Sequence, residues 1–250
     1  MVESRRVSYA VDDTLMEGRL FLPGGEERRP GILVFHEAGG LTDHELDAAR
    51  RLADIGYVAF AADYHGSARS DSDAEMTARL ESLGGSPGRM RAIARAALEI
   101  TAAEPRVDPA NIAAIGYCFG AVMALELARD RANLKAVVGF HPGSADHDPE
   151  DSRNISGKVL LCIGSEDPWM PADERLALEE EFRAAGLDWQ LNLYGGAKHS
   201  FTKPSAARSP IPEVDYHEAS DRRSWQAMLG LLDEVFAVAG RRAAPAPGLS

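Results

Sequence analysis

Cysteine is scarce: Cys118 and Cys162 are the only two in a chain of 250 residues. Two thiols cannot form a disulfide framework, so the expected setting is a reducing cytoplasm with both free. Positive charge is also short. Lys and Arg number 27 against 39 Asp and Glu, a formal net charge of −12. Nucleic acid and anionic membrane surfaces demand a basic footprint, so neither is expected as a partner. No apolar run reaches membrane-spanning length. The longest charge-free apolar stretch, 112–125, contains Gly116 and Gly120 and falls short of the roughly 18–20 residues needed. Arg5 and Arg6 have no apolar segment behind them, which argues against a secretory leader, and Asn154-Ile155-Ser156 reads as a chance sequon. Repeats are absent, as are linkers rich in Pro, Gly or Ser. The expectation is a single domain over 1–240, with 241–250 (Pro245, Pro247, Gly248) as a disordered tail.

What is present is a hydrophobic fraction of 45%, ordinary for a globular chain able to bury a large core. Short apolar runs alternate with longer amphipathic ones. Two early strands, about 6–9 and 16–21, read as a hairpin. Further strands are expected at 32–35, 58–62, 112–115, 136–140, 159–164 and 189–194, several of them near-continuous apolar runs suited to burial on both faces. Helical periodicity appears at 43–54, 89–103, 119–129, 173–185 and 216–239. Segment 119–129 is apolar on nearly every side and is expected at the centre. Alternation of this kind predicts an α/β class, a mostly parallel eight-stranded sheet with helices on both faces.

The segment carrying chemistry is Ile115-Gly116-Tyr117-Cys118-Phe119-Gly120-Ala121, a strand followed by Gly-x-Cys-x-Gly and a helix. This is the layout of a nucleophile elbow with sulfur in place of the commoner hydroxyl, and it follows the fifth expected strand, where α/β-hydrolases place it. The turn is so tight that the positions flanking the nucleophile by two must be small, which Gly116 and Gly120 satisfy. At the head of a helix the dipole favours a thiolate, and the Phe119 N–H can face a developing oxyanion. By itself the motif would also suit a structural cysteine in a packing turn. Two later segments argue for function. Gly164-Ser165-Glu166-Asp167-Pro168 presents carboxylates after one strand, and Gly195-Gly196-Ala197-Lys198-His199-Ser200-Phe201 presents an imidazole after the next. Chain order is nucleophile, acid, histidine, as this fold requires. On residue type alone both Glu166 and Asp167 are open as the acid.

Together with Phe35-His36-Glu37-Ala38-Gly39-Gly40 and Gly56-Tyr57-Val58-Ala59-Phe60-Ala61-Ala62-Asp63, these motifs resemble the dienelactone hydrolase family of α/β-hydrolases over about residues 6–239. A Glu after the third strand combined with a Cys elbow is the specific part. The resemblance implies a triad of Cys118, His199 and Asp167, the last favoured over Glu166 by family spacing and by the Pro168 turn. It implies that Glu37 contacts the resting thiol, and that the Ala38 and Phe119 N–H groups form the oxyanion hole. In the lactone-cleaving members an arginine four residues after the histidine holds the substrate carboxylate. Here that position is Lys203, which keeps the charge without the bidentate fork. A second such arginine precedes the 89–103 helix, with Arg69 and Arg79 as candidates.

His141, His65, Tyr64 and Trp169 are expected to line the pocket. His36, His65, His141, His147 and His199 show no ligand spacing, so no metal is expected. Cys162 reads as core filler, and Glu179-Glu180-Glu181 as a solvated helix face. The expectation is a cofactor-free hydrolase of a small ester or lactone, an anionic one included, forming an acyl-thioester as a monomer or small homo-oligomer. The rival readings are a general carboxylesterase or thioesterase with the same triad, and a non-catalytic thiol protein serving redox sensing or ligand binding.

Overall fold

A computed structural model describes residues 1–66, 73–143 and 149–236. Arg69, His147 and the tail at 241–250 lie outside the described residues. Strands β1 (Glu3–Val11) and β2 (Thr14–Leu22) form the antiparallel hairpin, longer at both ends than the apolar pattern suggested. Then follow β3 (Arg29–Phe35), α1 (Asp43–Asp54), β4 (Val58–Ala62), α2 (Asp73–Gly84), α3 (Pro87–Ala103), β5 (Val107–Tyr117) and α4 (Phe119–Arg129). The chain continues through β6 (Ala136–Phe140), α5 (Pro149–Ser152), β7 (Lys158–Gly164), α6 (Ala172–Ala185), β8 (Trp189–Tyr194), a 3-10 turn at Pro204–Arg208 and α7 (Glu218–Val235). The eight strands lie in the order β1-β2-β4-β3-β5-β6-β7-β8, and all pairings from β4 through β8 are parallel. Helix α2, the short α5 and the 3-10 turn were not anticipated, because α2 has mixed composition and the other two are too short for periodicity to register.

The two-residue period of the strands sorts the core into two layers. Leu33, Phe35, Ile112 and Ala114 face Met90, Ile93 and Ala97 of α3, Val122 and Leu125 of α4, and Phe182 of α6. Ile32, Val34, Ala113 and Ile115 face Ala49 and Leu52 of α1 and Met228 and Leu232 of α7. Helix α4 is buried from Gly120 through Arg129, as its all-round apolarity required. It also carries a buried cation. Arg129 donates to Glu126 at 2.7 Å and to Glu181 at 2.6 Å. The expectation of a solvated 179–181 face therefore fails at Glu181, which is drawn inside because a guanidinium cannot be buried without a counter-charge.

Register determines where the chemistry can gather. Phe35 of β3 pairs with Gly116 of β5, and Tyr117 pairs with Phe140 of β6. Glu37, Cys118 and His141 therefore emerge side by side beyond the carboxyl ends of neighbouring strands, roughly 4.8 Å apart laterally. That is the edge where open parallel sheets bind ligands.

Candidate active site

Cys118 sits at φ 53° and ψ −121°, between the last residue of β5 and the first of α4. A non-glycine residue in this region is strained, and the strain lifts the thiol out of the sheet. The Cys118 N–H donates to Phe140 O at 3.0 Å, anchoring the elbow to β6. Close approach explains the flanking glycines. A Cβ on Gly116 would lie 2.0 Å from Gly120 O, and one on Gly120 would lie 2.4 Å from His36 O and 2.5 Å from Phe35 O. These are backbone atoms that cannot turn aside. Gly120→Ala is therefore expected to push α4 off β3, costing ~1–3 kcal/mol and lowering the thermal midpoint by several degrees. A midpoint within one degree of the parent would show that the contact has room to give.

His199 follows β8 and is held by backbone bonds, donating its N–H to Glu213 O at 3.1 Å and accepting from Asp215 N at 3.2 Å. Its Nδ1 lies 2.7 Å from Asp167 Oδ2, and Asp167 Oδ1 accepts the Trp169 N–H at 3.0 Å. Asp167 is buried, whereas Glu166 points to solvent. Of the two carboxylates left open by residue type, Asp167 is the one on the imidazole. Burial alone would lower the His199 pKa. The electrostatic interaction with Cys118, the Asp167 hydrogen bond and a hydrogen bond to Cys118 outweigh it and raise the pKa to about 10. Trp169, 43% exposed, stands edge-on to His199 with ring centroids 4.7 Å apart and forms a wall of the site. Phe119, as the first residue of α4, has an N–H with no acceptor inside the helix.

Glu37, the residue expected to contact the thiol, is engaged by two side chains of the loop after β8. Its Oε1 accepts from Ser200 Oγ at 2.9 Å, and its Oε2 is bound by Lys203 Nζ. His141 Nε2 approaches Oε1 to 3.9 Å. Burial would raise the Glu37 pKa, but the Lys203 charge, with lesser contributions from the neighbouring His141 and His44 and from the Lys203 hydrogen bond, brings it to about 2. The physical reason for the Lys203 pairing is local. A buried carboxylate takes the nearest cation, and Lys203 is on the same loop as His199. Lys203 is thereby the counter-ion of Glu37 and not an uncommitted anion receptor.

His141 is fully buried at φ 38°, its Nε2 2.8 Å from Thr202 Oγ1 and its ring 5.2 Å from that of His199. Burial keeps it neutral, well below the ordinary histidine range, against the pull of Glu37. It packs against the ring of His199. Tyr64 is also buried, its hydroxyl donating to His36 O at 2.9 Å. It does line a cavity of about 520 Å³ with His65, Arg79, Arg89, Met16 and Leu83. The Phe119 ring is 6.0 Å from that of Tyr64, so the cavity adjoins the elbow. Of the two arginine candidates, Arg79 lines this cavity, while Arg69 lies outside the described residues. Among the described residues, no group of three or more His, Cys, Asp or Glu is arranged to hold a metal, and no helix is long and apolar enough to cross a membrane.

Glu45 escaped the sequence reading. Its Oε1 accepts the Glu37 N–H at 3.2 Å and its Oε2 accepts Thr42 N–H at 2.9 Å, tying the loop after β3 to the start of α1. The signal was available, since Thr42-x-x-Glu45 is a capping box. Ser200 had no comparable signal, because nothing local says which side chain its hydroxyl will meet.

With this geometry in place, the chain was compared with known proteins. The model of the dienelactone hydrolase family matches residues 16–236. The solved structure m3DLH is 43% identical, with a TM-score of 0.90 over 94% of this chain and 99% of that one. A dienelactone hydrolase-like promiscuous phosphotriesterase from metagenomic libraries is 40% identical, also with a TM-score of 0.90 over 94% and 99%. A carboxymethylenebutenolidase-named protein of Salmonella typhimurium is 26% identical, covering 80% of this chain and 75% of its own.

Proposed function

The chain belongs to the dienelactone hydrolase family and is a carboxylic ester hydrolase, and from that premise we propose that it cleaves small esters or lactones through a Cys118–His199–Asp167 triad. The observation carrying this reading is the strained elbow at Cys118 beside a His199 whose Nδ1 is bonded to a buried carboxylate at 2.7 Å. The thiolate sulfur attacks the carbonyl carbon, and the oxygen that gains the electron pair rests on the Ala38 and Phe119 N–H groups. As the intermediate collapses, the C–O bond breaks and the His199 imidazolium gives its proton to the leaving oxygen. An acyl-thioester on Cys118 remains. Neutral His199 then takes a proton from water, the hydroxide attacks the thioester, and the acid departs as sulfur recovers its negative charge. Asp167 keeps the proton-bearing Nδ1 turned away, so Nε2 does the transfers.

The substrate is read as small and preferentially anionic. The positive charge for it is assigned to Arg79 in the 520 Å³ cavity, while Met16 and Leu83 cover its apolar part; Arg89, also in the lining, is paired with Asp12 at 3.7 Å. Lys203 supports the site indirectly by neutralising Glu37, whose charge would otherwise oppose the thiolate. A second reading, a broader esterase accepting neutral esters, is favoured by that neutralisation. The 40% identical phosphotriesterase extends it, since a thiolate and two N–H donors can also serve a phosphoryl centre.

The test compares a carboxylated lactone with its methyl ester. Arg79→Ala should raise KM for the carboxylated lactone about tenfold, the size of one lost charge-assisted contact, and leave the methyl ester nearly unchanged. Lys203→Ala should slow both substrates alike and slow alkylation of Cys118 at neutral pH, because Glu37 is left uncompensated. Equal KM effects of Arg79→Ala on both substrates would remove the anionic reading and leave the neutral-ester one standing.

A further inference from the structure

The peptide unit joining Glu37 to Ala38 has two ends. One is the N–H read above as an oxyanion donor. The other, the Glu37 carbonyl oxygen, lies 2.6 Å from His36 Nδ1. The opposite ring nitrogen, Nε2, receives the backbone N–H of Tyr64 at 3.2 Å. A nitrogen accepting from a backbone N–H must present its lone pair, so the ring proton is on Nδ1 and is donated to Glu37 O. Asp63 Oδ1 stands 3.5 Å from Nε2, at the long limit of a hydrogen bond and second to the Tyr64 N–H. The His36 ring is fully buried and stacked on Tyr64, centroids 3.7 Å apart and planes 11° from parallel. The next peptide is held in the same way. His65 Nε2 lies 2.8 Å from Ala38 O, and a carbonyl can only accept, so this nitrogen carries the His65 proton.

We propose that His36 is a positioning residue that sets the orientation and donor strength of the Ala38 N–H, with His65 fixing the peptide that follows. The proposal rests on the reading of Ala38 as an oxyanion donor and of Cys118 as the nucleophile. An amide is planar, so holding its oxygen on one side holds its N–H on the other. A donor on the carbonyl also polarises the amide and strengthens its own N–H as a donor. The constraint is needed because Gly39 and Gly40 come next, and added Cβ atoms on them would meet nothing within 4 Å. Glu37 O also accepts the Gly40 N–H at 3.1 Å, so without His36 only that longer bond, made by a glycine, keeps the 37–38 peptide from turning over and offering a carbonyl oxygen to the developing negative charge. His65 remains the neutral donor this clamp requires, since burial brings its pKa down to about 4.

The experiment uses the full chain with p-nitrophenyl acetate, and measures in parallel the rate of Cys118 alkylation by iodoacetamide, which needs the thiolate but no oxyanion hole. His36→Asn retains a nitrogen donor at the Nδ1 position. His36→Gln reaches only toward Nε2 and loses the bond to Glu37 O. For His36→Gln, kcat should fall about 100-fold, the effect of one weakened oxyanion donor, with KM within threefold and alkylation within twofold of the parent. His36→Asn should recover at least tenfold of that loss. A kcat within threefold in His36→Gln, an Asn variant no better than Gln, or alkylation falling in step with kcat would each overturn the proposal. Should the His36 variants fail to fold, His65→Leu and His65→Gln decide by the same split, Gln being expected to outperform Leu in kcat alone, and equality of the two overturns it. Turnover surviving in Cys118→Ala would instead sink the nucleophile assignment on which the proposal stands.

Discussion

Cys118→Ala is expected to lower ester turnover by on the order of 10⁴-fold or more, leaving only what the oxyanion hole and binding can do without a nucleophile. Cys162→Ser should stay active. Cys162 is fully buried in β7, and burial pushes its thiol up to about 12 against a weaker opposing hydrogen bond with Tyr194. Its Sγ lies 3.7 Å from the Tyr194 hydroxyl, so a serine hydroxyl there can find a partner. Iodoacetamide should therefore label Cys118 first, and labelling should track loss of turnover when peptides are quantified by mass spectrometry. A folded Cys118→Ala protein that still turns over, or a folded Cys162→Ser protein that does not, would reverse the assignment. A stoichiometric burst from the parent without turnover would favour the non-catalytic thiol protein.

Asp167→Asn is expected to reduce kcat about 10³–10⁴-fold, because an amide can hold the imidazole in the wrong tautomer and does not stabilise its cation. Glu166→Gln, altering a solvent-facing carboxylate one residue away, should leave kcat within about threefold, as exposed substitutions usually do. The pH profile adds a sign. In the parent, Cys118 and Asp167 raise His199 to about 10, so the imidazolium persists well into the alkaline range. The folded state is stabilised by that proton below the ordinary histidine value near 6.5, and this stabilisation disappears as pH rises through about 10. Removing the carboxylate takes away one of the raising contributions. The alkaline limb of kcat/KM should then move to lower pH, as a property of the Cys118–His199 pair. An unmoved limb together with a near-parental kcat would show that Asp167 does not act on the imidazole.

Much of this was legible without coordinates, because it depends on local chemistry. A strand buried on both faces announces itself as a continuous apolar run, and 58–62 and 136–140 coincide with β4 and β6. The Gly-x-Cys-x-Gly elbow is legible for the same reason: its geometry excludes a Cβ at Gly116 and Gly120, so the backbone dictates residue type. Chain order then placed an acid and a histidine after the next strands.

The boundary lies where partners come from distant segments. Residue type could not choose between Glu166 and Asp167, since both follow β7 by a few residues. The choice is made by the direction each side chain takes once Glu166 N–H is bonded to Ala197 O. Glu181 reads as surface until Arg129 arrives from α4, 52 residues away. The sequence by itself determined the sheet and the elbow, and put forward the candidate reacting groups, because periodicity and steric exclusion act over a few residues. Only the tertiary structure decided that Glu37 pairs with Lys203, 166 residues on, and that His36 grips the peptide beside it. A buried charge or polar atom must be satisfied by whatever the fold brings within about 3 Å, and sequence separation carries no information about that.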